Sequence, residues 1–190
     1  MNQIKVSPWI GQNYANPNIL KYKTLILGES NYTKEIEKFN SNMVINCVND
    51  AINDTDKKGF GRFSTKIRSL IFGRDTLITP KEFWEDVAFY NFVQFLVGTE
   101  ARQRPTQGQW ESSIPMFEEV IAKIKPERVI VLGLANWNNL TSLINNQKTS
   151  KHTAILNLGS FNVSCGYINH PSSSIDYKTW QPIAAKLLLE

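Results

Sequence analysis

Three polar side chains stand at or near the ends of apolar runs, where a buried strand would reach the surface. Glu29 follows the run KTLILG at 23–28, Asn91 lies within VAFYNFV at 87–93, and His170 follows the run VSCGYIN. An amide that both donates and accepts suits the polar edge of a nucleobase, and an imidazole changes its charge near neutral pH. With a carboxylate beside them, these groups predict a site that binds a polar ligand.

Each of these side chains also has a purely structural interpretation. Polar residues after a strand often cap the next helix, a buried Asn commonly bonds a neighbouring strand, and a lone His is usually structural. After His170, however, come Pro171 and three hydroxyls, which suit a turn that holds a ligand or a phosphate. The three polar segments together therefore favour a ligand-binding site more strongly than any one of these residues does alone.

Apolar and amphipathic segments alternate along the chain, as in a parallel sheet connected by helices. Continuous apolar runs predict strands at 23–28, 87–93, 128–134 and 153–158, with further extended structure at 163–170. Helical spacing predicts helices at 42–52, 64–72, 79–86, 111–124, 135–146 and 176–190. We therefore predict an α/β fold, a three-layer α/β/α sandwich with a central, mainly parallel sheet of about four strands. The length favours a single domain over residues 1–190.

Capping residues and polar segments predict where some elements begin and what connects them. Ser64 and Thr79 are candidate N-caps, and Glu82 completes a capping box with Thr79. The polar segments 53–64 and 97–109 are predicted as loops able to line a site.

Ligands of parallel α/β sheets bind beyond the carboxyl ends of the strands. The segment GESNY at 28–32, Asn91 and the segment NHPSSS at 169–174 all fall there. Gly28 is expected to turn the chain out of the sheet at this point. We therefore expect the carboxylate, the amide and the imidazole to converge at one edge of the sheet.

Composition narrows the class of protein. The formal net charge is +4 without a basic tail, which permits a phosphate-bearing partner but does not require one. Two cysteines, Cys47 and Cys165, are too few to ligate an iron–sulfur cluster, and no His/Cys spacing suits zinc. We therefore expect no metal and no other cofactor. No apolar run reaches membrane length, so we expect no membrane partner and a cytoplasmic location.

Taken in order, the three polar segments resemble the motifs of the uracil-DNA glycosylase superfamily. That family has a Gly-led first motif (GQDPY, GEAPG or GINPG), an Asn at the end of its second strand and an HPS motif near its C-terminus. The corresponding segments here are GESNY (28–32), YNFVQ (90–94) and HPSSS (170–174). The stretch 104–136 is also similar to the family's central helix and strand, so the resemblance runs from Leu25 to the C-terminus.

The resemblance implies an enzyme that flips a base out of DNA and hydrolyses its N-glycosidic bond. The catalytic residues would be Glu29, which orients water or supports the cationic sugar, and His170, which stabilises negative charge on the leaving base. Asn91 would read the base, and Phe63 would stack on it, with Phe60 as a rival.

Further residues of the three motifs take binding roles by the same resemblance. Tyr32 matches the position where some members exclude the methyl group of thymine. The substrate-binding set is Gly28, Ser30, Asn31, Tyr32, Phe63 and Asn91, and the DNA-binding set is Pro171, Ser172 and Ser173. The implied partner is DNA carrying uracil or another modified base, in single or double strands, and we expect the protein to be a monomer.

The first motif departs from the family pattern at two positions. Position 30 is Ser where the best-known branch has Asp, and position 31 is Asn where Pro is usual. The Glu at position 29 matches a branch with GE-type motifs that carries an iron–sulfur cluster, which the two cysteines of this chain do not provide.

Two alternatives remain open. The fold could bind nucleic acid or a nucleotide without cleaving it, because fold does not determine activity. The sequence GES with a late His also resembles SGNH-type esterases, with Ser30 as nucleophile and His170 as base. That family has an Asp three residues before the His, where this chain has Tyr167, and a GxND motif whose nearest match is GLAN at 133–136.

Overall fold

The structure, a computed structural model, describes residues 6–53, 59–99, 103–159 and 161–190. Over these ranges the chain is α/β, with seven strands and six α-helices, and a short 3₁₀ turn at Ile36–Lys38. The strands are β1 (Trp9–Ile10), β2 (Thr24–Tyr32), β3 (Val87–Gly98), β4 (Arg128–Leu132), β5 (Asn146–Lys148), β6 (Thr153–Leu158) and β7 (Phe161–Ile168). The helices are α1 (Met43–Ile52), α2 (Gly59–Phe72), α3 (Pro80–Asp86), α4 (Gln107–Ile124), α5 (Leu134–Leu143) and α6 (Tyr177–Leu188).

All seven strands form one mixed sheet in the order β1-β3-β2-β4-β7-β6-β5. The four central strands β3, β2, β4 and β7 are parallel, whereas β1, β6 and β5 pair antiparallel at the two sides. The prediction of about four strands was therefore wrong, because the sheet has seven. The centre of the sheet is parallel as predicted, but antiparallel strands flank it and make the sheet mixed. Three of the four predicted strands correspond to the parallel strands β2, β3 and β4, and the fourth, 153–158, is the antiparallel β6. The further extended segment 163–170 corresponds to β7, whereas β1 and β5 have only two and three residues, too few to show a periodic pattern.

Helices cover both faces of this sheet, over two separate apolar clusters. The first cluster contains Leu25, Leu27 and Tyr90 of the strands with residues of α4 and α5. The second contains Ile26 and Phe89 with residues of α1, α2, α3 and α6. Because neighbouring residues of a strand point to opposite faces, these clusters define an α4 face and an α2 face of the sheet.

Capping explains where two helices begin. Thr79 accepts a hydrogen bond from the backbone of Glu82, whose side chain accepts one in return, so the predicted capping box of α3 is confirmed. Thr106 and Gln109 form a second capping box, which starts α4 at Gln107 and not at the predicted residue 111.

The predicted N-cap Ser64 was wrong, because α2 begins five residues earlier at Gly59. Ser64 is buried within this helix, where its hydroxyl accepts a hydrogen bond of 2.7 Å from the indole of Trp84. Residues 59–64, predicted as part of a loop, are therefore helical, and residues 54–58 of that loop lie outside the described residues.

The strand β2 also continues beyond the predicted turn. It runs through the whole GESNY segment to Tyr32, and its pairing with β3 becomes irregular after Ser30. Of the second predicted loop, Val97 and Gly98 belong to β3 and residues 107–109 belong to α4. Residues 100–102 of this loop lie outside the described part. Among the described residues no helix is both long and apolar enough to cross a membrane.

Candidate functional site

The carboxyl ends of the four parallel strands meet at one edge of the sheet, and the three polar motifs lie there. Gly28 of β2 pairs directly with Asn91 of β3. Gly133 follows β4, and His170 comes two residues after the end of β7. The predicted positions of these motifs at one edge thus agree with the sheet order.

Gly28 provides space for the side chain of Asn91. A Cβ atom added at Gly28 would overlap the Oδ1 atom of Asn91 and lie 3.4 Å from the ring of Phe89. Gly28 sits inside an extended strand, so the expected turn at this residue was wrong. The glycine is needed because the amide of Asn91 lies across the neighbouring backbone.

Asn31 lies beside Asn91 and is only 3% exposed. Its Nδ2 donates to the carbonyl of Val93 at 3.2 Å, and its Oδ1 accepts from the Nδ2 of Asn91 at 2.9 Å. Gln94 donates to the main-chain carbonyl of Asn91. The base-reading candidate therefore sits on a buried polar network, and Asn31 is part of its support.

Glu29 forms an ion pair that the sequence did not reveal. Its carboxylate accepts from Nη1 of Arg104 at 2.8 Å and 2.6 Å, one distance for each oxygen. The side chain of Glu29 is 10% exposed and that of Arg104 is 67% exposed. Alternation along β2 directs Glu29 to the α4 face, opposite to Gly28, and Arg104 precedes the capping box of α4.

The hydrogen bonds of His170 fix which ring nitrogen carries the proton. The backbone N–H of Ser172 donates to Nδ1 at 3.2 Å, and the Ser172 hydroxyl lies 2.7 Å from the same atom. A backbone N–H can only donate, so Nδ1 is the acceptor and the neutral ring holds its hydrogen on Nε2. Burial, followed by the charges of Arg104 and Lys66, lowers the pKa of His170 to about 4. At neutral pH this imidazole is an uncharged donor.

The turn that carries His170 is held by its own hydroxyls and by α2. Ser173 donates its N–H and its hydroxyl to the carbonyl of His170, at 2.9 Å and 2.6 Å. Lys66 of α2 donates to the carbonyl of Pro171 at 2.7 Å. The predicted phosphate contacts of Ser172 and Ser173 stay a prediction, and they would require these hydroxyls to exchange their present partners.

An aromatic bridge connects the amide to the imidazole on the α2 face. The ring of Phe63 lies 5.6 Å from that of His170 and 6.4 Å from that of Phe89, which adjoins Gly28 and Asn91. Phe60 is stacked on the buried ring of Trp84, with the ring centroids 5.7 Å apart. Of the two candidate stacking rings, Phe63 is therefore the one that borders His170.

The two remaining residues of the first motif lie further along β2. Ser30 is partly buried and pairs with Val93, and Tyr32 is 50% exposed where β2 ends beside Gly98. The proposed role of Tyr32 against a thymine methyl stays a prediction.

The acid, the amide and the imidazole thus gather at one edge, but not on one face. Asn91, Phe63 and His170 share the α2 face, while Glu29 approaches from the α4 face. Arg104 links the two groups, because it pairs with Glu29 and its charge acts on His170. Sequence reasoning missed Arg104 and Lys66, although Arg104 falls in the Arg-rich segment 97–109 predicted to line a site.

Other features of the surface lie apart from these residues. A groove of about 480 Å³ is lined by Arg74, Asp75, Tyr177 and Gln181 among others, none of them a candidate site residue. Within the described ranges, no group of three or more His, Cys, Asp or Glu side chains could hold a metal ion.

Comparison of the chain with models of known protein families and with curated protein sequences finds no match.

Proposed function

We propose that this protein is a DNA glycosylase-like enzyme that hydrolyses the N-glycosidic bond of a flipped uracil or other modified base. The sheet with helices on both faces is compatible with the three-layer α/β/α sandwich of such enzymes. The observation that carries the proposal is the continuous path from Asn91 through Phe89 and Phe63 to His170. An amide, an aromatic ring and an imidazole are the groups needed to read, stack and activate a base.

In this reaction the bond between the sugar C1′ and the base nitrogen breaks, and its electron pair leaves with the base. The Nε2–H of His170 would donate a hydrogen bond to the base oxygen on which negative charge develops. A neutral imidazole suits this role, because it stabilises the anion and keeps its proton. Water then adds to C1′ and gives up a proton.

Glu29 would act on the sugar side of the bond. A carboxylate at the carboxyl edge can orient the attacking water and stabilise an oxocarbenium-like sugar. Arg104 holds that carboxylate by both oxygens, so the ion pair positions the acid.

Cleavage of oligonucleotides tests the proposal directly. Single- and double-stranded DNA containing uracil, hypoxanthine or an oxidised base would be incubated with the protein, and abasic sites would be cut with alkali. We expect cuts with the wild type that disappear in Glu29→Gln and His170→Ala. Glu127→Gln, at the opposite edge of the sheet, and His152→Ala are the matched controls and should keep activity. Cuts that persist in both site variants would refute the assignment.

A nucleic-acid-binding module without hydrolysis is the second candidate, and one observation favours it. Both oxygens of Glu29 are engaged by Arg104, which reduces the ability of the carboxylate to activate water. Such a module would bind DNA with an affinity that falls as salt rises, and it would produce no abasic sites.

The esterase alternative receives no support from the geometry. A Ser-His pair needs an unprotonated ring nitrogen facing the nucleophile, and the acceptor Nδ1 of His170 faces Ser172, not Ser30. Hydrolysis of a p-nitrophenyl ester that is lost in Ser30→Ala would restore this alternative.

A further inference from the structure

We propose that Asn31 is a positioning residue that locks the side-chain amide of Asn91 in one of its two orientations, and so sets which bases this site accepts. The effect on base selection rests on the proposed function. The fixed orientation of the Asn91 amide, here called the lock, is a property of the free protein.

The orientation follows from a carbonyl that can only accept. The carbonyl of Val93 receives a hydrogen bond from Asn31, so the Nδ2 of Asn31 must face Val93 and its Oδ1 must face away. That Oδ1 lies 2.9 Å from Asn91, which must therefore present its own Nδ2. A rotated Asn91 would place two acceptors against each other in a buried setting. The carbonyl of Val93 thus fixes the orientation of the Asn31 amide, which in turn fixes the orientation of the Asn91 amide.

The irregular end of β2 makes this contact possible. Regular pairing holds through Ser30 and Val93, after which Asn31 pairs with Leu96. The shift places Asn31 where its side chain reaches both Val93 and Asn91. Gln94 is the useful contrast, because it is equally buried but bonds two main-chain groups, the N–H of Val6 and the carbonyl of Asn91, and not the side-chain amide of Asn91.

The lock determines the order of groups that a ligand meets. The Oδ1 of Asn91 lies over Gly28 of β2, which is the side of Asn91 towards β4, β7 and His170. A base that bridges the two residues meets three groups in order: the Nε2–H donor of His170, the Oδ1 acceptor of Asn91 and the second N–H donor on Nδ2 of Asn91. A base that pairs with all three must present an acceptor, a donor and an acceptor in that order, as an imide such as uracil does. Cytosine presents acceptor, acceptor, donor and requires the opposite amide orientation.

The first test measures the lock without any substrate. The NMR signals of the Asn91 Nδ2 protons in ¹⁵N-labelled protein would be assigned by their loss in Asn91→Ala. One of these two protons should exchange slowly with solvent. Asn31→Leu should abolish this protection, because leucine offers no acceptor to the Nδ2 of Asn91. Gln94→Met is the matched control and should leave the protection unchanged. Fast exchange of both protons in the wild type, or unchanged protection in Asn31→Leu, would overturn the proposal.

The second test measures base selection under single-turnover conditions. Asn31→Leu should lower the preference for uracil over cytosine about tenfold or more, the size expected for one misoriented bidentate contact. Gln94→Met should keep the wild-type ratio, and a preference unchanged in Asn31→Leu would contradict the specificity role. If no protein produces abasic sites while the exchange results hold, the glycosylase proposal fails and the lock stands.

Discussion

His170 is kept neutral by its surroundings, and this determines how both the site and the fold respond to acid. Burial and the two nearby cations place its pKa at about 4, below the value of about 6.5 in an unfolded chain. The unfolded state therefore binds more protons as pH falls from about 6.5 towards 4, and the stability contributed by the neutral ring is lost over that interval.

Replacing Arg104 by Gln should raise the pKa of His170, because one of the two charges that oppose protonation is removed. The measurement is an NMR titration of the two histidine rings. Lys151→Gln is the matched control, since burial and then the charge of Lys151 lower the pKa of His152. This substitution should raise the pKa of His152 and leave that of His170 unchanged. A His170 pKa that is insensitive to Arg104 would leave burial and the charge of Lys66 as the causes of the shift.

Gly28→Ala should disturb the site through sterics alone. The added Cβ would overlap Oδ1 of Asn91, so we expect a loss of about 1–3 kcal/mol in unfolding free energy and weaker ligand binding. Gly108→Ala is the matched control, because a Cβ there meets nothing within 4 Å and Gly108 lies in α4. It should be neutral or stabilising in a urea titration. Equal stability of the two variants would contradict the packing of Asn91 on Gly28.

The residue-level contacts were the part of the site that the sequence could not predict. Glu29 and His170 were identified because each follows an apolar run, and Asn91 because it interrupts one. Arg104 lies 75 positions from Glu29, and no local pattern marks that pairing. The role of Asn31 depends on how β2 pairs with β3, which neither segment encodes alone.

At the scale of elements, α2 supports the site twice. Phe63 and Lys66 are three residues apart, so they lie on the same side of this helix. One provides the ring beside His170 and the other bonds the carbonyls of Pro171 and Ser173 at 2.7 Å and 3.4 Å. The helix therefore links the last motif to the aromatic bridge.

Lys66→Met should loosen the His170 turn while leaving the helix intact, because Met keeps the apolar stem and removes the donor. We expect faster hydrogen exchange of the Ser172 and Ser173 amides with little change in overall stability. Lys81→Met serves for comparison, since it removes a lysine from another helix, where the ion pair with Glu85 is exposed. Identical exchange at the turn in both variants would show that Lys66 does not hold it.

Elements whose own sequence contains capping residues or a continuous apolar run were predicted well. The capping box at Thr79 located α3, and the apolar runs located β2, β3, β4 and β6, with β7 as further extended structure. The failures had non-local causes. Ser64 resembles a cap in sequence but accepts from Trp84 inside α2, and the GESNY segment stays in the sheet because β3 continues beside it.

At the scale of the molecule, the sheet separates two chemically different edges. The parallel direction of β3, β2, β4 and β7 brings all four carboxyl ends to the edge that carries the motifs. Lys23 and Arg128 lie at the opposite, amino edge of the same strands, where the ring of Tyr22 lies under the Arg128 guanidinium. A ligand bound at the motifs should therefore sense charges on one edge of the sheet and not on the other.

This separation gives a prediction for DNA binding by the whole molecule. Lys23 precedes β2 and Lys34 follows it, so Lys23→Gln and Lys34→Gln remove one positive charge each from opposite ends of one strand. If DNA binds at the carboxyl edge, Lys34→Gln should weaken binding of a single-stranded oligonucleotide. It should also reduce the slope of log affinity against log salt by about 0.7, the value for one phosphate contact on a single strand. Lys23→Gln should change neither quantity. Equal effects of the two substitutions, measured by fluorescence anisotropy, would mean that DNA senses only the net charge of +4 and not the carboxyl edge.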